Sequence, residues 1–467
     1  MIRLTLAEIA AATGGVVDAV PDPETAVTGP VVIDSRRVTP GGLFAALPGE
    51  HVDGHDYAGA AVAAGAVAVL AARPLPEPVP AIVVPDVTAA LAALASAVLR
   101  RLPGVTVAGI TGSSGKTSTK DLTAQLAERL GPTVAPEGSF NNELGLPLTV
   151  LRADESTRYL VLELSARGPG HITALCEVAP PLIGAVLNVG RAHAGEFGSL
   201  DGVAKAKAEL PEALPSDGVA ILNADDPRVL AMAARTAARV VTFSTGKATA
   251  ADVKAADIRL DDLGRASFRL LMPSGIAPVT LNLHGAHHVP NALAAAAIVA
   301  EFGMDTPAIA DALSLATARS KWRMEVRERP DGVLVVNDAY NANPDSMRAA
   351  IEALAHITSG GRRGIAVLGY MAELGDITRE SHEEAGRLAA RAGVAALIAV
   401  GEEARQVLDG ARAEGAWRGA AIAVPDARTA VDLLGNLLRP GDVVLVKASR
   451  AAGLTEVAAG LLSEVSR

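Results

Sequence analysis

With 467 residues, the chain is too long for a single hydrophobic core, and about 150 residues per domain predicts roughly three domains. Half of the residues are hydrophobic but only 3% are aromatic, so Ala, Val and Leu must fill the cores. The formal net charge of −10 excludes a general nucleic-acid binder, because neutralising a phosphate backbone requires a basic surface.

The N-terminus, Met1-Ile-Arg-Leu-Thr-Leu-Ala-Glu8, carries its glutamate too early for a secretory apolar region. Val31 to Leu47 contains two short strand-like runs split by a Pro40-Gly41 turn. Asp34, Ser35 and Arg36 close the first run, where a strand end presents polar groups to a ligand or the Asp and Ser satisfy their own turn. Asp53-Gly54-His55 and a helix-then-strand alternation follow to Val84. Ala58 to Ala72 is apolar but broken by glycines, and no run is long enough to span a bilayer. Together these segments predict a small α/β unit ending near Leu102.

From Arg101 to about Ala318, strand and helix patterns alternate, as a mostly parallel sheet covered on both faces requires. Val105 to Thr111 is β-branched and apolar, and breaks into Gly112-Ser113-Ser114-Gly115-Lys116-Thr117. Small residues let backbone N–H groups curl around an anion, and a following helix, expected from about Ser118 to Leu130, points its positive end at it. Lys116 then reaches the β/γ-phosphates of a nucleotide and Thr117 a Mg²⁺ ion. The full phosphate-loop pattern wants glycine where Ile110 stands, so this is a short form of it. Tyr159 to Glu163 reads as a second buried strand ending in a carboxylate, placed to hold the metal or simply to meet water. Cys176 is the only cysteine, which excludes an internal disulfide and a cysteine-based zinc site and fits a reducing compartment, the cytoplasm.

A third apolar run, Leu182 to Val189, leads to His193, and Leu200 to Leu214 reads as a helix in which Lys205 and Lys207 make an ordinary solvated pair. Gly218 to Asn223 is another strand, Val253 to Leu283 a polar strand-like excursion, and Asn291 sits at the start of an Ala-rich helix, to cap it or to read a base edge. Beyond about Arg323, four apolar runs at Gly332–Asp338, Gly364–Gly369, Ala395–Gly401 and Asp442–Lys447 predict a further parallel sheet.

The ordered set of motifs resembles the Mur ligase superfamily over nearly the whole chain. It comprises Asp34-Ser-Arg36, Asp53-Gly-His55, Thr111 to Thr117, Asn141-Asn142-Glu-Leu-Gly-Leu-Pro147, Glu163-Leu164, His193-Ala-Gly-Glu-Phe-Gly-Ser199, Asn223-Ala-Asp225 and Gly285-Ala-His287 with Asn291. The C-terminal third adds Asn337-Asp-Ala-Tyr-Asn-Ala-Asn-Pro-Asp-Ser-Met347, Met371 to Gly375, His382 and Lys447-Ala-Ser-Arg450. The resemblance implies an α/β protein of three domains: a small N-terminal α/β domain for a UDP-linked substrate at 1–102, a central P-loop-type parallel-sheet ATPase domain at 103–318, and a C-terminal Rossmann-like domain at 319–467. It also implies ATP and Mg²⁺, with D-alanyl-D-alanine joined to UDP-N-acetylmuramoyl-tripeptide through an acyl phosphate by a cytoplasmic monomer.

By the same resemblance, Ser35 and Arg36 contact the uridine side, Gly112 to Thr117 hold ATP, and Thr117, Glu163 and His193 bind metal. Asn291 and Asp338 contact adenosine, and Arg323 contacts phosphate. Asn141, Asn142, Tyr340, Asn341, Asn343, Ser346, Lys447, Ser449 and Arg450 form the surface for the other substrates. Lys207 corresponds to a lysine that the family often carbamylates, with Lys205 as the competing choice; an ammonium beside Mg²⁺ is repelled, whereas a carbamate ligates it. Tyr370, His288 and Ala448 depart from the family pattern. The alternatives are a single-amino-acid-adding Mur ligase, a folylpolyglutamate synthase, or a nucleotide-binding relative that ligates nothing.

Overall fold

The structure, a computed structural model, describes residues 1–49, 52–76, 78–191, 197–246, 248 and 250–463. Three large sheets follow one another along these residues. The first has five strands in the order Val16–Asp18, Ala81–Val83, Ala68–Ala71, Leu43–Ala45, Val31–Val32, parallel except for the first. One face is closed by Ala58, Ala61 and their neighbours. The other face shares a continuous core with the second unit. The helix Val87–Arg100 makes that joint. Asp86 caps it by accepting from the Thr88 and Ala89 amides, and its Leu91, Leu94 and Val98 are buried, each leucine contributing about 2 kcal/mol of apolar burial. Ser96 Oγ donates to the Val178 carbonyl at 3.2 Å across the joint.

The second sheet has nine strands. Thr106–Thr111 lies between Tyr159–Glu163 on one side and Ile183–Val186 on the other, all parallel. Both neighbours come later in the chain, so the strand order reverses here. A crevice opens at the C-terminal ends of strands at such a switch point. Val219–Asn223 and Arg239–Ser244 continue the parallel sheet. The polar excursion foreseen after residue 253 is three strands of the same sheet in an antiparallel meander: Val253–Leu260, Arg265–Met272 and Gly275–His284, each antiparallel to the one before. Its polarity is strand alternation: Gly275–His284 buries Ala277, Val279, Leu281 and Leu283 and exposes the residues between. The Ala-rich helix His288–Glu301 packs into the core on that face.

The third sheet runs Glu325–Glu328, Leu334–Asp338, Val443–Lys447, Gly364–Leu368, Ala396–Val400, Ala420–Val424, parallel apart from the first strand, with a core on each face. The four central strands coincide with the apolar runs. The two edge strands went unforeseen because an edge needs one apolar face at most, and Glu325–Glu328 has no buried residue. Two further expectations need correction. The helix after the phosphate loop starts at Lys116, not Ser118, because Gly115 at φ 80° ends the loop by itself. Lys205 and Lys207 are not a solvated pair: Lys205 is exposed, whereas Lys207 is 6% exposed.

Helices Thr378–Arg391 and Gln406–Ala413 cross at two glycines. A Cβ on Gly386 would overlap the Val407 carbonyl, and one on Gly410 the Glu383 carbonyl. Helix propensity alone favours alanine there by about 1 kcal/mol, but overpacking against rigid backbone costs about 1–3 kcal/mol. Gly386→Ala is therefore expected to lower the melting temperature, and a rise would mean that the crossing is looser than described.

Candidate active site

The phosphate loop is held from both sides before any ligand arrives. The Ser113 amide donates to the Asn188 carbonyl at 3.1 Å, and the Ser114 amide to Asn188 Oδ1 at 2.9 Å. Asn188 Nδ2 returns a bond to the Ser114 carbonyl at 3.1 Å. The Gly190 amide donates to Ser113 Oγ at 2.8 Å. Asn188 closes the third apolar run, so the neighbouring strand clamps the loop at the switch point. On the other side, a Cβ on Gly115 would overlap Asn291 Oδ1. Asn291 lies in the first turn and a half of its helix, 5% exposed. It packs on the loop and does not cap the helix. Lys116 Nζ donates to the Gly112 carbonyl at 2.7 Å, curled over its own loop. Burial lowers its pKa, Arg323 adds to that, and Glu163 opposes it.

Beside the loop stands a chain of donors that ends on one carboxylate. Glu163 is 2% exposed and accepts from Thr117 Oγ1 at 2.9 Å and from Asn141 Nδ2 at 2.6 Å. With its only hydroxyl proton committed to Glu163, Thr117 must accept from Ser139 Oγ, 3.0 Å away, and Ser139 in turn accepts from Arg323 Nη2 at 2.9 Å. Arg323, Ser139, Thr117 and Glu163 thus form one polarised relay, each link strengthening the next. Ser139 carried no signal in the sequence, since nothing in Glu137-Gly-Ser139-Phe distinguishes it from a turn.

The third unit reaches across to the loop. Asn343 Nδ2 contacts the Ser113 carbonyl at 3.4 Å, and the Arg191 amide donates to Asp345 Oδ2 at 3.1 Å. Asn343 also caps the helix Pro344–Thr358 reciprocally with Ser346, so the cap and the contact fix each other. Lys447 Nζ, 1% exposed, bonds Asp338 Oδ2 at 2.5 Å and the Asn341 carbonyl at 3.0 Å. Tyr340 lies under two guanidinium groups, Arg323 at 4.3 Å and Arg450 at 5.6 Å from the ring centroid, an arrangement that ring quadrupoles favour. The main-chain angles Trp322 φ 62° and Met324 φ 48° flank Arg323, and strain of this kind persists only where surroundings impose it.

One cavity of about 450 Å³ joins these groups. Its wall includes Ser113 to Thr117, Asn141, Asn142, Glu163, Asn291, Arg323, Asp338, Tyr340, Asn341, Asn343, Ser346, Lys447 and Arg450. Other expected site residues lie outside this wall. Ser35 and Arg36 stand in the first unit, Arg36 88% exposed by side chain and paired with Asp34 at 2.8 Å. Ser449 Oγ accepts from the Ala372 amide at 2.9 Å, behind the wall. Lys207 is buried beneath it, its pKa pushed far down by burial and then by Lys116. Gly112 meets Leu187. His193 lies outside the described residues. The cavity also holds His287, which sequence reading placed in a motif without a role. Burial lowers its pKa to about 4, with Asp338 opposing and Lys447 reinforcing the shift.

Three family descriptions match the chain: the Mur ligase middle domain at residues 110–299, the Mur ligase glutamate ligase domain at 322–450, and the Mur ligase family catalytic domain at 30–99. UDP-N-acetylmuramoyl-tripeptide--D-alanyl-D-alanine ligase of Mycobacterium tuberculosis is 51% identical, over 99% of this chain and 98% of that protein. The chain belongs to the Mur ligase family. The protein of the same name from Escherichia coli is 37% identical over 92% of this chain and 93% of its own length. Among solved structures, MurF from Acinetobacter baumannii superposes with a TM-score of 0.87 at 31% identity, covering 98% of this chain and 99% of that one. MurF ligase from Thermotoga maritima in complex with ADP superposes with a TM-score of 0.80 at 28% identity, covering 94% and 98%.

In this Mur ligase, His287 titrates with a definite sign. The folded state holds it below the ordinary histidine value, so the unfolded chain binds the extra proton as pH falls below about 6.5. The stability it contributes is complete above that pH and lost toward pH 4. Allowing for water in the cavity, about 1–2 kcal/mol should disappear between pH 7 and pH 5. Urea unfolding of the parent and of His287→Gln at both pH values checks this: the variant should lose that much less.

Proposed function

We propose that the chain is an ATP-dependent ligase that joins D-alanyl-D-alanine to UDP-N-acetylmuramoyl-tripeptide, forming the pentapeptide precursor of peptidoglycan in the cytoplasm. The relatives named for this reaction match from end to end. The observation that carries the reading is the shared cavity, in which a phosphate loop from the second unit faces Asn341, Asn343, Lys447 and Arg450 from the third. A nucleotide seated on the loop would present its γ-phosphate to whatever the third unit holds. No helix among the described residues is long and apolar enough to cross a membrane. In this reading, residues 1–102 hold the UDP part through Ser35 and Arg36, 103–318 the ATP, and 319–467 the dipeptide.

The tripeptide carboxylate attacks the γ-phosphate, releasing ADP and leaving an acyl phosphate, and the dipeptide amine then displaces phosphate. The protein supplies no nucleophile; it positions the reactants and offsets charge, which is most of what phosphoryl transfer requires of a protein. Lys116, freed from the Gly112 carbonyl, bonds the phosphates, and Arg323 reaches them from the linker. Asn291 and Asp338 flank the adenosine. Thr117 Oγ1 and Glu163 Oε2, hard oxygen donors 2.9 Å apart, fit Mg²⁺, which takes few protein ligands and keeps its remaining positions for water and phosphate. The ion would neutralise charge building between carboxylate and ATP.

Lys207 fits carbamylation better than Lys205 does, because burial beside Lys116 disfavours its ammonium form, and the neutral amine is the form that adds CO₂. The carbamate would be an anion beside the metal position.

Phosphate release from ATP, measured with Mg²⁺ and UDP-N-acetylmuramoyl-tripeptide, should require D-alanyl-D-alanine and yield the pentapeptide. Release with a single amino acid would keep the chemistry and move the step, and none with any acceptor would leave a binding protein. Lys116→Ala is expected to lower kcat by about 100- to 1,000-fold with an unchanged melting curve; near-native turnover would remove the lysine from the phosphates. Lys207→Ala should lose activity that millimolar short carboxylates partly restore, and rescue of Lys205→Ala in its place would move the modification two residues upstream.

A further inference from the structure

Behind the main cavity, the linker leaving the second unit encloses a smaller one of about 20 Å³, whose lining includes Ser118, Asp121, His288, Ser320 and Arg323. Ser118, His288 and Arg323 line both spaces and so form the partition between them. Six buried side-chain atoms among the described residues lack a hydrogen-bond partner within the protein. Two of them, His288 Nδ1 and Arg323 Nε, belong to this partition, whereas none of the others lies in either cavity.

The two atoms are chemically complementary. Arginine Nε carries a hydrogen and only donates, whereas a neutral imidazole can accept at Nδ1. His288 is 3% exposed, and burial first, then the neighbouring His287 and His284, push its pKa far down, so the neutral ring prevails. A buried polar atom left unpaired is costly, and one link would satisfy both at once. The backbone of Arg323 is set by the left-handed residues on either side. Its guanidinium has one hydrogen bond, to Ser139, and one face, on Tyr340, and its Nε–H is left without a partner in the protein. A bond at Nε adds a third anchor, so that the remaining N–H groups stay aimed at the main cavity.

We propose that His288 is a positioning residue for Arg323, its Nδ1 accepting from one water in the small cavity that in turn accepts from Arg323 Nε. The inference rests on the reading of Arg323 as a phosphate contact. It assigns His288 an effect on nucleotide handling that packing alone would not produce.

Asparagine places an acceptor oxygen where Nδ1 stands, whereas glutamine reaches the Nε2 position. His288→Asn is therefore expected to keep the KM for ATP within about twofold, and His288→Gln to raise it about five- to tenfold, the size of one ordinary hydrogen bond, with the KM for D-alanyl-D-alanine unchanged. In an Arg323→Ala background the two should become equal. Equal effects in the native background, or a difference that survives Arg323→Ala, would overturn the proposal. The native protein offers a second test independent of turnover: ¹⁵N spectra of labelled histidine should show His288 as the Nε2–H tautomer with Nδ1 bare. A protonated Nδ1 overturns the proposal, since Nδ1 could then no longer accept. Loss of ADP binding and ligation in the unaltered protein would instead strike the nucleotide reading and leave the tautomer result standing.

Discussion

A single buried carboxylate organises the centre of this molecule. Glu163 ends the strand beside Thr106–Thr111, one in from the edge of the sheet, and is almost sealed from water, where an ionised oxygen without donors would be prohibitively costly. Thr117 and Asn141 meet that need, and in doing so they tie together the helix after the phosphate loop, the segment before Gly145–Val150, and the strand itself. Removing either donor would leave an acceptor unpaired at about 1–3 kcal/mol. The loop is therefore shaped by a requirement of the protein itself, which brings the Thr117 and Glu163 oxygens together at 2.9 Å. Preorganisation of this kind spares the cost of gathering charged groups at the moment of reaction.

The same relay explains how the third unit is coupled to the second. Arg323 sits on the linker yet donates into the Ser139–Thr117–Glu163 chain, while its guanidinium lies on Tyr340 of the third unit. Asn343 and Asp345, at the start of one helix, reach the loop and its flanking segment. To these polar contacts the second unit adds the Asp261 carbonyl at 2.9 Å from His356 Nε2 and Leu263 packed against the third unit's core. The joint between the first and second units is different in kind, an apolar core running unbroken through the helix Val87–Arg100. An interface that buries apolar surface resists opening, and one held by a few hydrogen bonds exchanges with water at little cost. The physics thus assigns the first two units to a common body and leaves the third as the part that can part from it.

Much of the fold was legible because parallel strands buried on both faces are written as uninterrupted apolar runs. Tyr159–Glu163, Leu334–Asp338 and Val443–Lys447 are of this type, and the phosphate loop announces itself by its small residues. Edge strands such as Glu325–Glu328 carry no such signature. Site residues were legible where the chemistry demands a residue type, as at Lys116 and Glu163. Ser139 and the His287–His288 pair were invisible as site residues, since what makes them matter is a partner distant in sequence: Ser139 meets Arg323 across 184 positions. Local pattern cannot report a contact made only after three sheets have been stacked.

The two lysines of the helix Leu200–Glu212 show where pattern ends and environment begins. Lys205 and Lys207 stand two residues apart in Ala-Lys-Ala-Lys-Ala, so nothing local distinguishes them. On a helix, two positions are about 200° of rotation apart. One side chain must therefore face water when the other faces the sheet, and a solvated pair is impossible on a helix packed along its length. Val203, Ala206 and Leu210 fix the inward face, and Lys207 falls on it. Burying an ammonium beside a second cation is a poor way to stabilise a fold. Burial and the neighbouring Lys116 accordingly favour the neutral amine at Lys207, a difference from Lys205 that arises from the packing of the helix and not from its local sequence.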